Sequence, residues 1–257
     1  MKLENLESRL RAYENLNDRY ILPGMWAIVR VDGRNFTRLT KETMKYEAPY
    51  DARFRDAMVS AASRLMVAGT KATLAYTQSD EISLLLDLES IAFGRKERKI
   101  ISIMAGEASA ALTLAIGEPA VMDARLIQLP SFDLVLDYFR WRQEDALRNA
   151  LNSHCYWKLR DDGMSPKQAD AQLLGSSVAQ KNELLFRYGV NFNDLPNWQK
   201  RGTLVYWETF LKPGRNPLSG ETTQTVRRRL KIDPNIPSRE QLAPFLESCL
   251  PANRESK

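Results

Sequence analysis

Val29-Arg30-Val31-Asp32-Gly33-Arg34-Asn35-Phe36 is the stretch around which the chain is organised. A short apolar strand is predicted from Trp26 to Val31, and it leads directly into a carboxylate, a glycine and a polar loop. This order places Asp32 at a strand end, beside backbone that can approach a ligand closely. An Asp-Gly pair after a strand is more often a simple turn, so a functional interpretation requires a second carboxylate nearby.

Hydrophobic periodicity predicts helices and strands throughout the first half of the chain. From the strand at residues 26–31 onwards, the order is strand, helix, strand, strand, helix, strand, which is the βαββαβ order of ferredoxin-like domains. We therefore expect an α+β fold with an antiparallel sheet over residues 1–130. The predicted helices are 3–19, one from the cap at Asp51 to Gly69, and 95–115; the further strands are 72–77, 82–88 and 124–129.

The expected topology gives Asp32 a partner. In a ferredoxin-like sheet the third strand lies between the first two and runs antiparallel to both. The start of the third strand, with Asp80 in the turn Gln78-Ser79-Asp80-Glu81, therefore lies beside the end of the first, one strand spacing of about 4.8 Å away. Glu81 follows Asp80 directly and points the other way on a strand, which favours a structural role.

Two facing carboxylates indicate a site for hard cations, which prefer oxygen ligands. Two Mg²⁺ ions can bind the attacking and the leaving oxygen of a phosphoryl transfer. Gly33 has no side chain, so its carbonyl is an accessible ligand, and the backbone amides from Gly33 to Thr37 are candidates to hold a triphosphate. The catalytic candidates are therefore Asp32 and Asp80.

The second half of the chain, residues 131–257, is predicted to be mostly helical with one β-hairpin. We place a soft boundary near Pro130 and expect this region to pack on the first as one unit. The predicted helices are 132–160, one beginning at Ser165-Pro166, 177–188 and a short last one capped by Ser238-Arg239-Glu240-Gln241; the predicted hairpin strands are 202–211 and 222–231.

Composition limits the class of protein. The chain has 257 residues, a net charge of +5 and a pI of about 9.2, which is consistent with an anionic partner such as a nucleotide or nucleic acid. We identify no membrane span and no export signal, and we expect a cytoplasmic protein without a membrane partner. Cys155, Cys249 and the single histidine, His154, do not make a zinc site of usual spacing. His154 is expected to be structural.

Three groups of basic residues are candidates for phosphate contacts. Arg95, Lys96, Arg98 and Lys99 open the second helix of the βαββαβ unit, where cations oppose the helix dipole. Phosphate binding and a solvated face explain that cluster equally well. Arg227-Arg228-Arg229 indicates either a contact with an RNA backbone or a charged edge strand, and Lys181 either a phosphate contact or a solvated side chain.

Five motifs, in order, are similar to those of the tRNA-histidine guanylyltransferase family, specifically its bacterial guanylyltransferase-like members. These enzymes polymerise in the 3′ to 5′ direction. The resemblance covers about Trp26 to Trp207, and it does not place the last fifty residues. The motifs are Arg30-Val31-Asp32-Gly33-Arg34-Asn35-Phe36, Gln78-Ser79-Asp80-Glu81, Trp141-Arg142-Gln143, Lys181-Asn182-Glu183-Leu184-Leu185-Phe186 and Gly202-Thr203.

The resemblance implies a polymerase-type palm domain that binds two Mg²⁺ ions. It implies that the substrates are tRNA and ATP, GTP or other nucleoside triphosphates. It also implies a homotetramer. By the resemblance, the metal ligands are Asp32, the carbonyl of Gly33 and Asp80. The nucleotide-binding residues it implies are Asp32, Gly33, Arg34, Asn35, Phe36, Thr37, Ser79 and Asp80, with Lys96 and Lys99 on the triphosphate.

Two departures from the family pattern bear on the substrate. Where histidine-tRNA enzymes carry His-Ile-Asn-Asn-Leu-Tyr-Asn, this chain has Leu147 to Ser153, and a lysine that the family places before its proline in the first loop is Ala48 here. The sequence therefore predicts a magnesium-dependent 3′–5′ nucleotidyltransferase that repairs 5′-truncated tRNA by copying the opposite strand. The alternatives are guanosine addition to tRNA-His, a nucleotide cyclase or other palm polymerase, and a non-catalytic RNA-binding protein.

Overall fold

The computed structural model describes residues 3–215, 222–237 and 239–251. Within them, one six-stranded antiparallel sheet has the strand order β4-β1-β3-β2-β5-β6. The strands are β1 (Trp26–Gly33), β2 (Ala72–Gln78), β3 (Glu81–Leu86), β4 (Met122–Leu129), β5 (Thr203–Arg215) and β6 (Thr222–Asp233). The helices are α1 (Leu3–Glu14), α2 (Phe36–Arg38), α3 (Ala52–Met66), α4 (Glu97–Ile116), α5 (Phe132–Asp161), α6 (Pro166–Leu173), α7 (Val178–Arg187), α8 (Asn197–Arg201) and α9 (Leu242–Ser248).

The predicted α+β fold is confirmed, and its central feature is the position of β3. This strand lies between β1 and β2 and runs antiparallel to both, as the ferredoxin-like order requires. Strand β1 extends two residues beyond its predicted end, because Asp32 and Gly33 continue the pairing with β4 as far as Met122. Asp32 therefore belongs to the strand, one residue before its last paired position, and not to the loop that follows.

The central strands β1, β2 and β3 are buried on both faces of the sheet. On one face, Val29 and Val31 pack with helices α3 and α4 in a core that includes Leu65 and Met104. On the other face, Ile28 packs with the first half of α5 and with α9. Burial of each such side chain stabilises the fold by about 1.5–3 kcal/mol. Because side chains alternate along a strand, Arg30 and Asp32 follow Ile28 on the α5 face.

The second half of the chain joins the same sheet. Strand β5 pairs with β2 from Thr77↔Thr203 to Leu74↔Tyr206, and beyond this pairing β5 and β6 continue together as a two-stranded ribbon. The second half of α5 forms a separate helical core with α6 and α7, through Cys155, Leu159 and Leu185 among others.

Three local predictions differ from the structure. The first helix ends at Glu14 and not at residue 19, because Arg19 and Ile21 form backbone hydrogen bonds with Glu97 and Arg95. The loop after Gly33 contains α2 and a π-helical turn (Leu39–Thr43), which periodicity did not indicate. The last helix, α9, follows a 3₁₀ turn (Arg239–Gln241), and its predicted cap, Ser238, lies outside the described residues.

Helix α4 is long and apolar enough to cross a membrane, with a mean hydropathy of 1.5 over its most apolar window. Core helices of folded domains meet the same criterion. In this structure α4 packs on α3 and on the sheet through Ile100, Met104, Ala108 and Leu112.

Candidate active site

The β2–β3 hairpin brings Asp80 to the end of β1. The Gly33 amide donates a hydrogen bond of 3.1 Å to the Asp80 carbonyl, and Asp32 is directly opposite Glu81 in the sheet register. Ser79, at the tip of the hairpin, has a φ of 53°, so the chain turns tightly enough to return as β3. The structure thus brings together Asp32, Gly33, Ser79 and Asp80, as the topology predicted.

The two carboxylates differ in their surroundings. Burial raises the pKa of the Asp80 carboxyl, and the negative charge of Asp32 raises it further. Among the described residues, no cation lies within ion-pair distance of Asp80. The cations that the described part of the chain places near Asp32 are two distant ones, with guanidinium nitrogens of Arg30 and Arg125 each 3.9 Å from its Oδ2. The end of the hairpin therefore carries negative charge that the described residues do not fully neutralise.

The donor atoms at this place fit a hard cation. Carboxylate and carbonyl oxygens from Asp32, Gly33 and Asp80 are the ligand types that Mg²⁺ prefers, and a cation would relieve the repulsion between the acids. The part of the chain that the structure describes contains no group of three or more acidic, histidine or cysteine side chains placed to hold a metal. A Mg²⁺ site here would therefore take its remaining ligands from water and from nucleotide phosphates, as Mg²⁺ sites commonly do.

The requirement for glycine at position 33 is steric. A Cβ atom built on Gly33 lies 2.1 Å from Cδ2 of Phe36, and the Phe36 ring is buried in the core below, next to Phe54. The Phe36 ring therefore belongs to the core and also lines the cleft described below, and its contact with a nucleotide stays a prediction.

The loop after β1 has fewer free backbone amides for a phosphate than the sequence predicted. The amide of Gly33 donates to Asp80 and that of Arg34 donates to the carbonyl of Val121, at 2.9 Å, so neither is available to a triphosphate. The amides of Phe36 and Thr37 begin helix α2, where no intrahelical acceptor exists. Asn35, at the left-handed φ of 61°, turns the chain into this helix. A phosphate contact through backbone amides is thus limited to residues 35–37.

Glu81 is the structural carboxylate that the sequence predicted. Its side chain is buried and forms ion pairs with Arg30 at 2.7 Å and with Arg142 at 2.8 Å. Arg142 also reaches Asp145 at 3.2 Å. We call these four residues the ion network. The network explains the arginine of the Trp141-Arg142-Gln143 motif, since the Arg142–Glu81 ion pair links α5 to the start of β3.

The Gly202-Thr203 motif also has a physical reason. Gly202 has a φ of +85°, and a Cβ atom there would lie 2.5 Å from the carbonyl oxygen of Thr77. Only glycine lets the chain enter β5 this close to β2. Thr203 is buried and lines the cleft described next.

A cleft of about 470 Å³ opens between the end of the sheet, the loop after β1 and helix α5. Asp32 and Asp80 lie on its sheet side. Its other walls are rich in aromatic rings and also carry a lysine and polar α5 side chains, none of which the sequence indicated. They come from separate elements, and only tertiary folding brings them together. These residues include Lys41, Tyr46, Tyr50, Phe54, Asn149, Ser153, Trp157 and Trp198.

Lys96 and Lys99 do not reach these carboxylates within one chain, and their contact with a triphosphate stays a prediction. The C-terminal end of α4 leads through Gly117 to Met122 beside Gly33, so its N-terminal end lies at the opposite end of the sheet. Its 20 residues span about 30 Å. Lys96 forms an ion pair with Asp18 at 2.8 Å, and Lys99 is exposed.

The other predicted phosphate contacts are also remote from Asp32. Lys181 lies in a shallow groove between α6 and α7. Arg227, Arg228 and Arg229 lie on β6, an edge strand, beyond the part of β5 that pairs with β2. Arg229 forms an ion pair with Glu208 at 2.8 Å. Their contact with RNA stays a prediction. His154 is buried between the rings of Tyr50 and Phe192, in line with its expected structural role.

Comparisons with known proteins agree with this arrangement. The family model of tRNAHis guanylyltransferase (Thg1) matches residues 7–136, and that of the Thg1 C-terminal domain matches residues 133–240. A probable tRNA(His) guanylyltransferase of Drosophila melanogaster is 34% identical over 198 residues, which are 73% of this chain and 69% of the relative.

Two solved structures, each of a bacterial tRNA(His) guanylyltransferase (Thg1)-like protein, have the same fold. The complex with ATP has a TM-score of 0.77 and 26% identity, and the match covers 96% of this chain and 100% of that chain. The complex with GTP has a TM-score of 0.71 and 27% identity, with 95% and 98% covered.

Proposed function

The chain belongs to the tRNA(His) guanylyltransferase family, and we propose that it is a magnesium-dependent nucleotidyltransferase that adds nucleotides to tRNA 5′ ends in the 3′ to 5′ direction. The observation that carries this proposal is the meeting of Asp32 and Asp80 at the edge of a cleft large enough for a nucleotide. The ATP and GTP complexes of similar bacterial proteins support nucleoside triphosphates as substrates.

The residues of the cleft have distinct roles in this proposal. Asp32, Asp80 and the Gly33 carbonyl would hold Mg²⁺, which supplies charge stabilisation for the attacking and leaving oxygens of phosphoryl transfer. The backbone amides of residues 35–37 and the Ser79 side chain would bind phosphate oxygens. The ion network holds β3 and α5 in fixed positions, so the carboxylates stay aligned when substrate binds.

Within the family, we propose template-dependent repair of 5′-truncated tRNA. The support is the segment Leu147 to Ser153 on α5. Leu147 packs with the helical core, whereas Asn149 and Ser153 line the cleft. The segment therefore brings no imidazole to the cleft. Guanosine addition to tRNA-His is the second candidate, since the curated relatives carry that name. A homotetramer and a cytoplasmic location stay predictions.

The test is nucleotide addition to a 5′-monophosphorylated tRNA that lacks its first nucleotide, with Mg²⁺ and each triphosphate in turn. We expect incorporation of the nucleotide complementary to the opposite base, and a changed product when that base is changed. Asp32→Ala should reduce addition at least about a hundredfold, which corresponds to about 2.7 kcal/mol of barrier, while tRNA binding persists.

Other results would favour other functions. Addition of guanosine to full-length tRNA-His, independent of the opposite base, would support the second candidate. If the wild-type protein binds tRNA but adds no nucleotide to any of these substrates, the enzyme proposal is wrong and a non-catalytic RNA-binding protein remains.

A further inference from the structure

The cationic side chains of the cleft differ in how their charges are balanced. The cleft is lined by Arg30, Lys41, Arg55 and Arg142. Arg30 and Arg142 are paired with Glu81, and Arg55 lies 2.7 Å from Asp56. Within the described ranges, Lys41 has no carboxylate within ion-pair distance. Its charge is therefore available to a ligand.

The surroundings of Lys41 hold its amine in the cleft. Its Nζ lies 5.2 Å from the centre of the Trp157 ring, a cation–π contact with helix α5. Lys41 belongs to the π-helical turn Leu39–Thr43, in which the Met44 amide donates to the Leu39 carbonyl. π-Helical turns occur often at functional sites. Partial burial lowers the pKa of the Lys41 amine, and the charge of Asp51, a carboxylate that is already paired with Arg53, opposes this shift only in part.

The other basic residues of the same loop do not share this position. Arg38 is exposed and lies 3.4 Å from Glu42, and neither Arg34 nor Lys45 lines the cleft. Among the basic residues of this loop, Lys41 is therefore the one that lines the cleft.

We propose that Lys41 is a phosphate-binding residue of this cleft. The ligand is a phosphate oxyanion, supplied either by the nucleoside triphosphate or by the 5′ phosphate of the RNA. The inference rests on the proposed function for the identity of these two ligands. A phosphate suits the site because it would neutralise Lys41, while other phosphate oxygens of the same substrate would be neutralised by the Mg²⁺ that Asp32 and Asp80 would hold.

The experiment compares matched ligands that differ in phosphate. Lys41→Met keeps the methylene chain beside Trp157 and removes the charge, Lys41→Arg keeps the charge, and Lys167→Met, on the exposed face of α6, is the control. Equilibrium binding is measured for ATP and adenosine with Mg²⁺, and for an acceptor-stem RNA with a 5′ phosphate or a 5′ hydroxyl. Thermal unfolding verifies that each variant folds, with Lys41→Gln as the replacement if Lys41→Met does not.

A triphosphate contact predicts that Lys41→Met weakens ATP binding about tenfold and leaves adenosine and both RNAs unchanged. A contact with the RNA predicts that the preference for the 5′ phosphate falls about tenfold while ATP binding is unchanged. In either case Lys41→Arg retains most of the affinity. The inference is overturned if Lys41→Met matches Lys167→Met for all four ligands, or if it weakens ATP and adenosine equally.

These binding measurements do not require catalysis. If the wild-type protein adds no nucleotide, the proposed function fails, yet the phosphate preference of Lys41 can still be present. If addition occurs and Lys41→Met keeps every phosphate preference, the proposed function stands and only the role of Lys41 is wrong.

Discussion

Asp80 and Glu81 are neighbours in sequence and line the same cleft, but they lie in two parts of it that differ in charge balance. Glu81 is buried between two guanidinium groups at the centre of the ion network, and these cations oppose the rise in its pKa that burial and Asp32 cause. Asp80 lies in the turn of the β2–β3 hairpin beside a second carboxylate, with its pKa raised by burial and by Asp32 and with no described cation at ion-pair distance. The difference shows that local charge balance, more than burial, separates a structural carboxylate from one that is free to bind a cation.

The largest effect that tests this comparison is expected for Glu81→Gln. The change leaves Arg30 and Arg142 as buried cations without their shared carboxylate, so we expect the free energy of unfolding to fall by about 3 kcal/mol. Urea unfolding measures it. Glu183→Gln, in an exposed pair with Arg187, should cost less than about 0.5 kcal/mol. Equal losses in the two variants would show that Glu81 contributes nothing beyond a surface ion pair.

A smaller effect is expected for Gly33→Ala, which tests the packing that joins the two regions. The new methyl group overlaps the Phe36 ring, so we expect a loss of about 2 kcal/mol. The double variant Gly33→Ala/Phe36→Leu should lose less than the two single changes added together, because the smaller side chain removes the overlap. Gly106→Ala, in mid-helix with no atom within 4 Å, should instead stabilise by about 0.5–1 kcal/mol. Additive losses in the double variant would contradict this account.

The smallest effect is expected for Asp80→Asn, measured as stability against pH. The pKa of Asp80 is higher in the folded state than in the unfolded state, so its ionisation destabilises the fold. The variant should therefore be more stable than the wild type at pH 7. As the pH falls through the raised pKa, the wild type regains this stability and the difference disappears. A wild type that is more stable than Asp80→Asn at pH 7 would show that the Asp80 carboxylate is compensated after all.

Part of the site could be predicted from the sequence. Strand and helix periods gave the βαββαβ order, and that order brings the end of β1 beside the start of β3, so the meeting of Asp32 and Asp80 needed no tertiary information. The element order depends on local patterns that repeat over short distances in the chain. Alternation along the strand also predicted a structural role for Glu81, but for the wrong reason: Glu81 lies opposite Asp32 and lines the same cleft, and its two arginine partners make it structural.

Other parts could not be predicted, because they depend on contacts between distant segments. The basic cluster at Lys96 matched a phosphate site by residue type, but the direction of α4 carries it to the far end of the sheet. Lys41 lies in a segment without hydrophobic periodicity. Its position in the cleft depends on the packing of that segment against Trp157 of α5, which is distant in the chain. Likewise, the ion pair between Arg142 and Glu81 joins residues that are far apart in sequence, and it forms only because α5 packs across the sheet.

The sequence by itself determined the element order, the two acids at strand ends and the glycine between β1 and its loop, because hydrophobic period and turn chemistry act over a few residues. Only the tertiary structure decided which charges are neutralised. An ion pair depends on which elements pack together, and packing placed two arginines on Glu81, an aspartate on Lys96 and none of the described cations against Asp80. The cleft with its acidic edge and its free lysine is the result of that distribution.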